Sequence, residues 1–378
     1  MPRSSCVSLA SFLLFPCALA WANPVAHSLS IHPDERSQSV ANDMNAHGQV
    51  AAMIEDENGR QRGYYFEKGH LTELGFPGGR ESVAKRINPA GMVVGSAENK
   101  NGTWRAFLYS SKDGMQVLDT LGGPSSNGTA INDQGDAVGY SDLPNDEWHA
   151  FLSRSGQPMQ DLGTLGGKVS YANAVNNHDQ VVGAAADKNG YRHAFFYDPV
   201  RGMIDLGTLG GRVSAATAIN DQGIVAGSSE TADRRWHAFV YDGKRMIDLG
   251  KLIGHGDSYA TGINSAGHVV GMVQVGDQRQ SFVWRDGQML VHNSGRALYL
   301  TNAINDAEQV VGATYDSMEG LDAATMFSGT RPHVDPGGVK LAWLATLAIL
   351  AAAAAVAWRK RYRGIELAGY IGLGVWRK

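Results

Sequence analysis

Cysteine is almost missing from this chain of 378 residues: there are two, Cys6 and Cys17, both within the first 22 positions. Disulfide staples and thiolate-held metals are therefore excluded from everything downstream, and the folded part must be held by burial and hydrogen bonds. Proline is scarce as well, 12 against 47 glycines, the proportion of a turn-rich β-protein rather than of a disordered low-complexity chain. Basic charge is short once the two ends are set aside. The ends hold eight of the 33 Lys and Arg and one of the 37 Asp and Glu, leaving 25 basic and 36 acidic residues in 23–338, a balance of −11. A surface of that sign repels phosphate backbones, so no nucleic-acid partner is expected.

Both ends read as targeting and anchoring segments. Residues 1–22 have a short basic start at Arg3, an apolar run from Val7 to Leu19 and an Ala-x-Ala site at Ala20-Trp21-Ala22, the pattern of a signal peptide cleaved before Asn23. Lipoprotein processing at Cys17 is the alternative, with Pro16 standing where a small residue is needed. A short linker, 336–338, precedes the apolar stretch Val339–Trp358, interrupted only by Lys340. Twenty residues at about 1.5 Å each span a bilayer's hydrocarbon core as a helix. Arg359, Lys360, Arg361 and Arg363 follow at once. Basic residues stay on the cytoplasmic side, which puts the tail 359–378 inside and residues 23–335 outside, in the periplasm or at the cell surface.

Between the ends one unit recurs. An asparagine returns at Asn45, Asn88, Asn132, Asn176, Asn220, Asn264 and Asn305, with spacings of 43, 44, 44, 44, 44 and 41 residues. Seven residues later stands a glycine (Gly95, Gly139, Gly183, Gly227, Gly271, Gly312; Ala52 in the first copy). About nineteen residues later comes an aromatic (Tyr64, Phe107, Phe151, Phe195, Phe239, Phe282 and, displaced, Phe327). The fifth copy reads as four short strands: Ala215–Ile219, the turn Asn220-Asp221-Gln222-Gly223, Ile224–Ser228, a polar hairpin at 230–234, Trp236–Tyr241 and Met246–Gly250. Sister copies carry Asn-Gly in that hairpin at 58–59, 101–102 and 189–190, the strongest short hairpin signal. Pairs such as Val93-Val94, Val181-Val182 and Val269-Val270 are apolar on both faces of a strand and need cover on both. The expected fold is therefore all-β, a seven-bladed β-propeller of ~44-residue four-stranded units. A solenoid or an array of sandwiches is the alternative. The seventh copy lacks its last strand, and Ala26–Ile31 ahead of the first is placed to supply it and close the ring.

The segments His149-Ala150-Phe151, His193-Ala194-Phe195 and His237-Ala238-Phe239, with Asp161-Leu162-Gly163-Thr164-Leu165-Gly166-Gly167 and its copy at 205–211, resemble the HAF family of extracellular repeats over about residues 39–330. The resemblance implies an exported location and no established activity, and it carries no catalytic, cofactor-binding or metal-ligating residues. Departures from the pattern are Arg105 and Ser281 at the histidine or its neighbour, and Asp179 and Glu308 at the turn glycine. Gly337-Gly338, the apolar stretch and the basic cluster are similar to the tripartite sorting tails of bacterial surface proteins, although residues 364–378 continue past the point where such tails end.

Catalytic motifs are absent. His149, His193 and His237 recur one unit apart, too far to share a metal with bonds of about 2 Å, and are expected to bond a neighbouring blade. Asp161, Asp205 and Asp248 are expected in turns or between blades. Asn99–Trp104 falls short of the aspartate box of sialidase-like propellers and reads as a hairpin. His255, Asp257 and Ser258 sit in a single loop and cannot converge as a triad. No cofactor is implied. The expected function is a membrane-anchored binding module for a surface protein, peptide or glycan. The alternative is a glycan hydrolase or lyase with paired acids in the central funnel.

Overall fold

A computed structural model describes residues 26–31, 37–254, 256–276, 278–292, 298–316 and 320–327, all within one compact unit, Ala22–Thr330. The expected leader, linker, membrane helix and basic tail lie outside the described residues. Among the described residues no helix is long and apolar enough to cross a membrane.

The described chain is strand throughout, apart from one turn of 3-10 helix at Gly250–Leu252. Each repeat folds into antiparallel strands joined in sequence order. They form five four-stranded sheets and one larger sheet, in which the third and fourth repeats are bridged by a single parallel pairing, Trp148 with Val169. Within a repeat the first strand lies innermost. In the second repeat the order outward is Gly78–Ile87, Val93–Asn99, Trp104–Ser110 and Gly114–Val117. The glycine pairs at 78–79, 166–167 and 210–211 begin inner strands rather than ending a loop.

The recurrent residues have distinct jobs. Each asparagine's Oδ1 accepts the backbone N–H four residues on, as Asn88 does from Met92 at 2.9 Å and Asn132 from Asp136 at 2.8 Å, which caps the turn as expected. Gly48, Gly91, Gly135, Gly223 and Gly267 close that turn with positive φ, and Asp179 and Glu308 adopt the same left-handed backbone at 57° and 61°. The recurrent glycine of the second strand faces the aromatic of the third. At Gly227 an added Cβ would meet Phe239 Cζ at 2.6 Å and overlap the Ala215 carbonyl. Phe107, Phe151, Phe195, Phe239 and Phe282 are fully buried, as are both members of the valine pairs. At about 1.5–3 kcal/mol per large apolar side chain, this burial dominates the stability of a disulfide-free chain.

Repeats hold one another by polar contacts as well as by packing. Asparagine Nδ2 donates to the carbonyl of the corresponding asparagine one repeat on: Asn45 to Asn88, Asn88 to Asn132, Asn132 to Asn176, Asn176 to Asn220, Asn220 to Asn264 and Asn264 to Asn305, at 3.0–3.5 Å. Asn305 donates back to Asn45 at 3.4 Å, so the circuit is closed. A buried serine of the inner strand repeats the theme. Ser82, Ser126, Ser170, Ser214 and Ser258 each accept a backbone N–H from the preceding repeat, and Ser39 accepts that of Ala323 at 2.9 Å across the closing seam.

The expected closing strand is present. His27–Ser28 pairs antiparallel with the last strand, Gly320–Phe327, through His27 with Thr325 and Ser28 with Ala324. Leu29 N–H adds a bond to Ala323 O at 2.8 Å, and Ile31 is fully buried. First and last segments share one sheet, an arrangement that an open array of lobes lacks.

Candidate functional site

Every inner strand has a bulge at the same place. Pairing in the second repeat steps from Ala84–Gly95 to Arg86–Val94 and skips Lys85; in the third it steps from Gly128–Gly139 to Ala130–Val138 and skips Thr129. A bulge leaves one residue out of the ladder and re-aims its side chain. The seven skipped residues, Asn42, Lys85, Thr129, Asn173, Thr217, Thr261 and Asn302, line one central channel with a cavity of about 330 Å³. Most of these side chains are spent on structure. Asn42 donates to Ala84 O at 2.7 Å, Thr129 to Ala172 O at 2.8 Å, Asn173 to Ala216 O at 2.7 Å, Thr217 to Ala260 O at 2.9 Å and Asn302 to Ala41 O at 2.9 Å.

Lys85 is the exception. It is the one cation among the seven, and its ammonium makes no hydrogen bond or ion pair among the described residues. Its side chain is exposed to the channel, and crowding by the surrounding wall, with the neighbouring Arg86 guanidinium, lowers its pKa from the ordinary lysine value. Arg86 is committed elsewhere: its Nη1 donates to Asn42 O at 3.1 Å, and its charge partly offsets the burial that raises the pKa of Asp43.

Lys85 also reaches a second cavity, a cleft of about 440 Å³ between the second and third repeats, walled by Ser96, Trp104, Asn127, Thr129 and Tyr140. The cleft departs from the repeat. Tyr140 is the only aromatic among the residues that follow the recurrent glycine of the second strand; the others are Ser96, Ala184, Ser228, Met272 and Ala313. Desolvation, with Asp142 nearby, raises the Tyr140 pKa, so its phenol stays protonated and able to donate. Ser96 Oγ accepts Gly128 N–H at 3.2 Å. A polar, half-open cavity with two aromatic walls and one unpaired cation has the makings of a ligand site. Its signal was present in the sequence as Lys85 and Tyr140 at otherwise small or neutral positions of the repeat.

Residues singled out in the sequence take structural roles. His149, His193 and His237 bond Asp161, Asp205 and Asp248 at 2.8–2.9 Å. These partners lie in the same repeat, which corrects the expectation of a bond to a neighbouring blade: the third and fourth strands are adjacent, so the aspartate is the nearer group. Asp161 and Asp205 also accept the N–H of Gly163 and Gly207, the expected turn. Asn99 caps its hairpin through Asn101 and Thr103 N–H. Asp257 accepts Trp236 N–H at 3.0 Å and Ser258 accepts Ala238 N–H at 2.9 Å; His255 lies outside the described residues. Among the described residues no three His, Cys, Asp or Glu side chains gather as a metal site, and no carboxylate is among the residues that line the channel or the cleft.

No family model and no curated protein matches the sequence. Solved structures do. A puromycin-hydrolysing peptidase of Mycobacterium tuberculosis superposes with TM-score 0.57 at 12% identity, over 78% of this chain and 52% of that one. An acylaminoacyl peptidase of Pyrococcus horikoshii gives 0.51 at 13%, over 82% and 55%. The Swd1 β-propeller domain of Myceliophteria thermophila gives 0.49 at 11%, over 81% and 99%. The chain thus spans about half the length of the two peptidases, and at these identities the likeness to them concerns fold alone.

Proposed function

We propose that the protein is an exported, membrane-anchored, seven-bladed propeller of the HAF-repeat type that works as a binding module, with its ligand seated where the second and third repeats meet. The observation that carries this reading is the coincidence of Lys85 and Tyr140, two departures from the repeat, with Trp104 at one open cavity. The other six equivalent positions carry Asn or Thr, so the exposed ammonium of Lys85 is not part of the repeating scaffold. Rigid scaffolds with a local departure are how binding sites are commonly built. Nothing in the lining favours the hydrolase or lyase reading, which needs two acids facing a funnel.

Anchoring rests on Val339–Trp358 and the basic residues after it, and is tested by fractionation together with protease accessibility of residues 23–335 on intact cells. For binding, the purified protein is screened on glycan arrays and by crosslinking to surface proteins. A ligand retained by the native protein and lost by Trp104→Ala is expected. A blank on both screens contradicts the reading.

A further inference from the structure

We infer that the cleft between the second and third repeats takes an acidic sugar residue, a pyranose bearing a carboxylate at the end of a glycan. This inference rests on the reading of that cleft as the binding site and names its ligand class. Three observations converge on it. The Lys85 ammonium stands unpaired at the junction of cleft and channel, in a domain whose net charge is −11. The lysine side chain is exposed to that space, so a carboxylate brought by a ligand can reach the ammonium there. The side chains of Trp104 and Tyr140 border the same cavity and are half-buried, offering flat apolar surface to the C–H face of a sugar ring together with a phenol donor. Asn127, half-buried in the same wall, adds an amide able to donate and accept with ring hydroxyls.

The competing anions fit less well. Phosphate sites favour the bidentate fork of arginine or a nest of backbone N–H groups. Among the described residues the one arginine lining the channel, Arg86, is bound to Asn42 O, and phosphate makes no use of two aromatic walls. A long polyanion would be repelled by a domain of net charge −11, which points to a chain end rather than a chain interior. At about 440 Å³ the cavity falls in the usual range for small-ligand sites.

Titration calorimetry of the full-length protein tests this with a glucuronate-terminated disaccharide, its neutral glucose-terminated counterpart, sodium acetate, and a short acidic peptide. The decisive variant is Lys85→Thr, which installs the residue already present at Thr129, Thr217 and Thr261 and should leave the fold and its thermal midpoint intact. The acidic disaccharide is expected to bind at least tenfold more tightly than the neutral one, acetate and the peptide, and Lys85→Thr should abolish that preference. Equal affinity for the acidic and neutral sugars, a preference unchanged in Lys85→Thr, or peptide or acetate binding as tight as that of the acidic sugar overturns the assignment while leaving a binding module in place. Silence from all four probes and from the wider screens would overturn both.

Discussion

The recurrent asparagine does two things with one carboxamide. Its oxygen caps the turn that follows, and its nitrogen reaches the backbone of the next repeat. The first role follows from residue type and position; the second is invisible in sequence, because nothing local announces that a carbonyl 43 or 44 residues away will lie within reach. Asn176→Asp separates them. Aspartate keeps the acceptor for Gln180 N–H but loses the donor to Asn220 O, so a loss of about 1–3 kcal/mol in urea-unfolding free energy is expected; an unchanged midpoint would reduce the residue to a cap. The histidines tell the same story from the other side. His149, His193 and His237 were readable as structural, yet their partner could not be read, since strand adjacency decides it. His292 behaves differently. Among the described residues its Nε2 has no partner, and burial lowers its pKa. A depressed histidine favours the neutral form in the fold, so its contribution is present above the unfolded value near 6.5 and is lost as pH falls through the folded value. Stability should drop on acidification in that window, and His292→Gln should flatten the drop, as read from denaturation midpoints between pH 7.5 and 5.

At the scale of the strand, the hairpins, the turn and the aromatic strand were legible because their residues are specific: Asn-Gly, Asn-Asp-x-Gly, and one aromatic against one glycine. The fifth repeat's Trp236–Tyr241 strand ends where the sequence places it. The bulge was not legible. Its seven residues are Asn, Lys or Thr, a mixture that shows no period in the sequence, although five of them share one contact, a bond to the carbonyl just before the bulge in the adjoining repeat. The site was missed for the same reason. Gly227 leaves no room for a side chain, and Gly227→Ala would drive a methyl into the Ala215 carbonyl and the Phe239 ring. Roughly 3 kcal/mol of destabilisation is expected from such overpacking, measurable by denaturant titration, with a neutral result contradicting the packing described. The first repeat carries Ala52 at this position, fully buried, and nothing in the structure explains how it accommodates the methyl.

At the scale of the molecule, units that cannot cover both faces of their own sheets stack on neighbours, and the last covers its outer edge with the chain's own beginning. Residues 26–31 were legible as that strand from a gap in the seventh copy, not from their own composition. Closure explains how a chain without disulfides in 23–378 avoids two open ends: separating first from last would break the Asn305 and Ser39 bonds and expose Ile31 together. The most direct test uses the scarcity of cysteine. Leu29 N–H bonds Ala323 O, which leaves Ser28 and Ala324 as the closely spaced, non-hydrogen-bonded pair beside it. That spacing suits a disulfide. In a background with Cys6→Ser and Cys17→Ser, the double variant Ser28→Cys with Ala324→Cys should form an intramolecular crosslink under mild oxidation, seen as a shifted band on non-reducing gels, and should raise the thermal midpoint. Thiols that stay free, or that link only between molecules, would contradict a ring closed by its two ends.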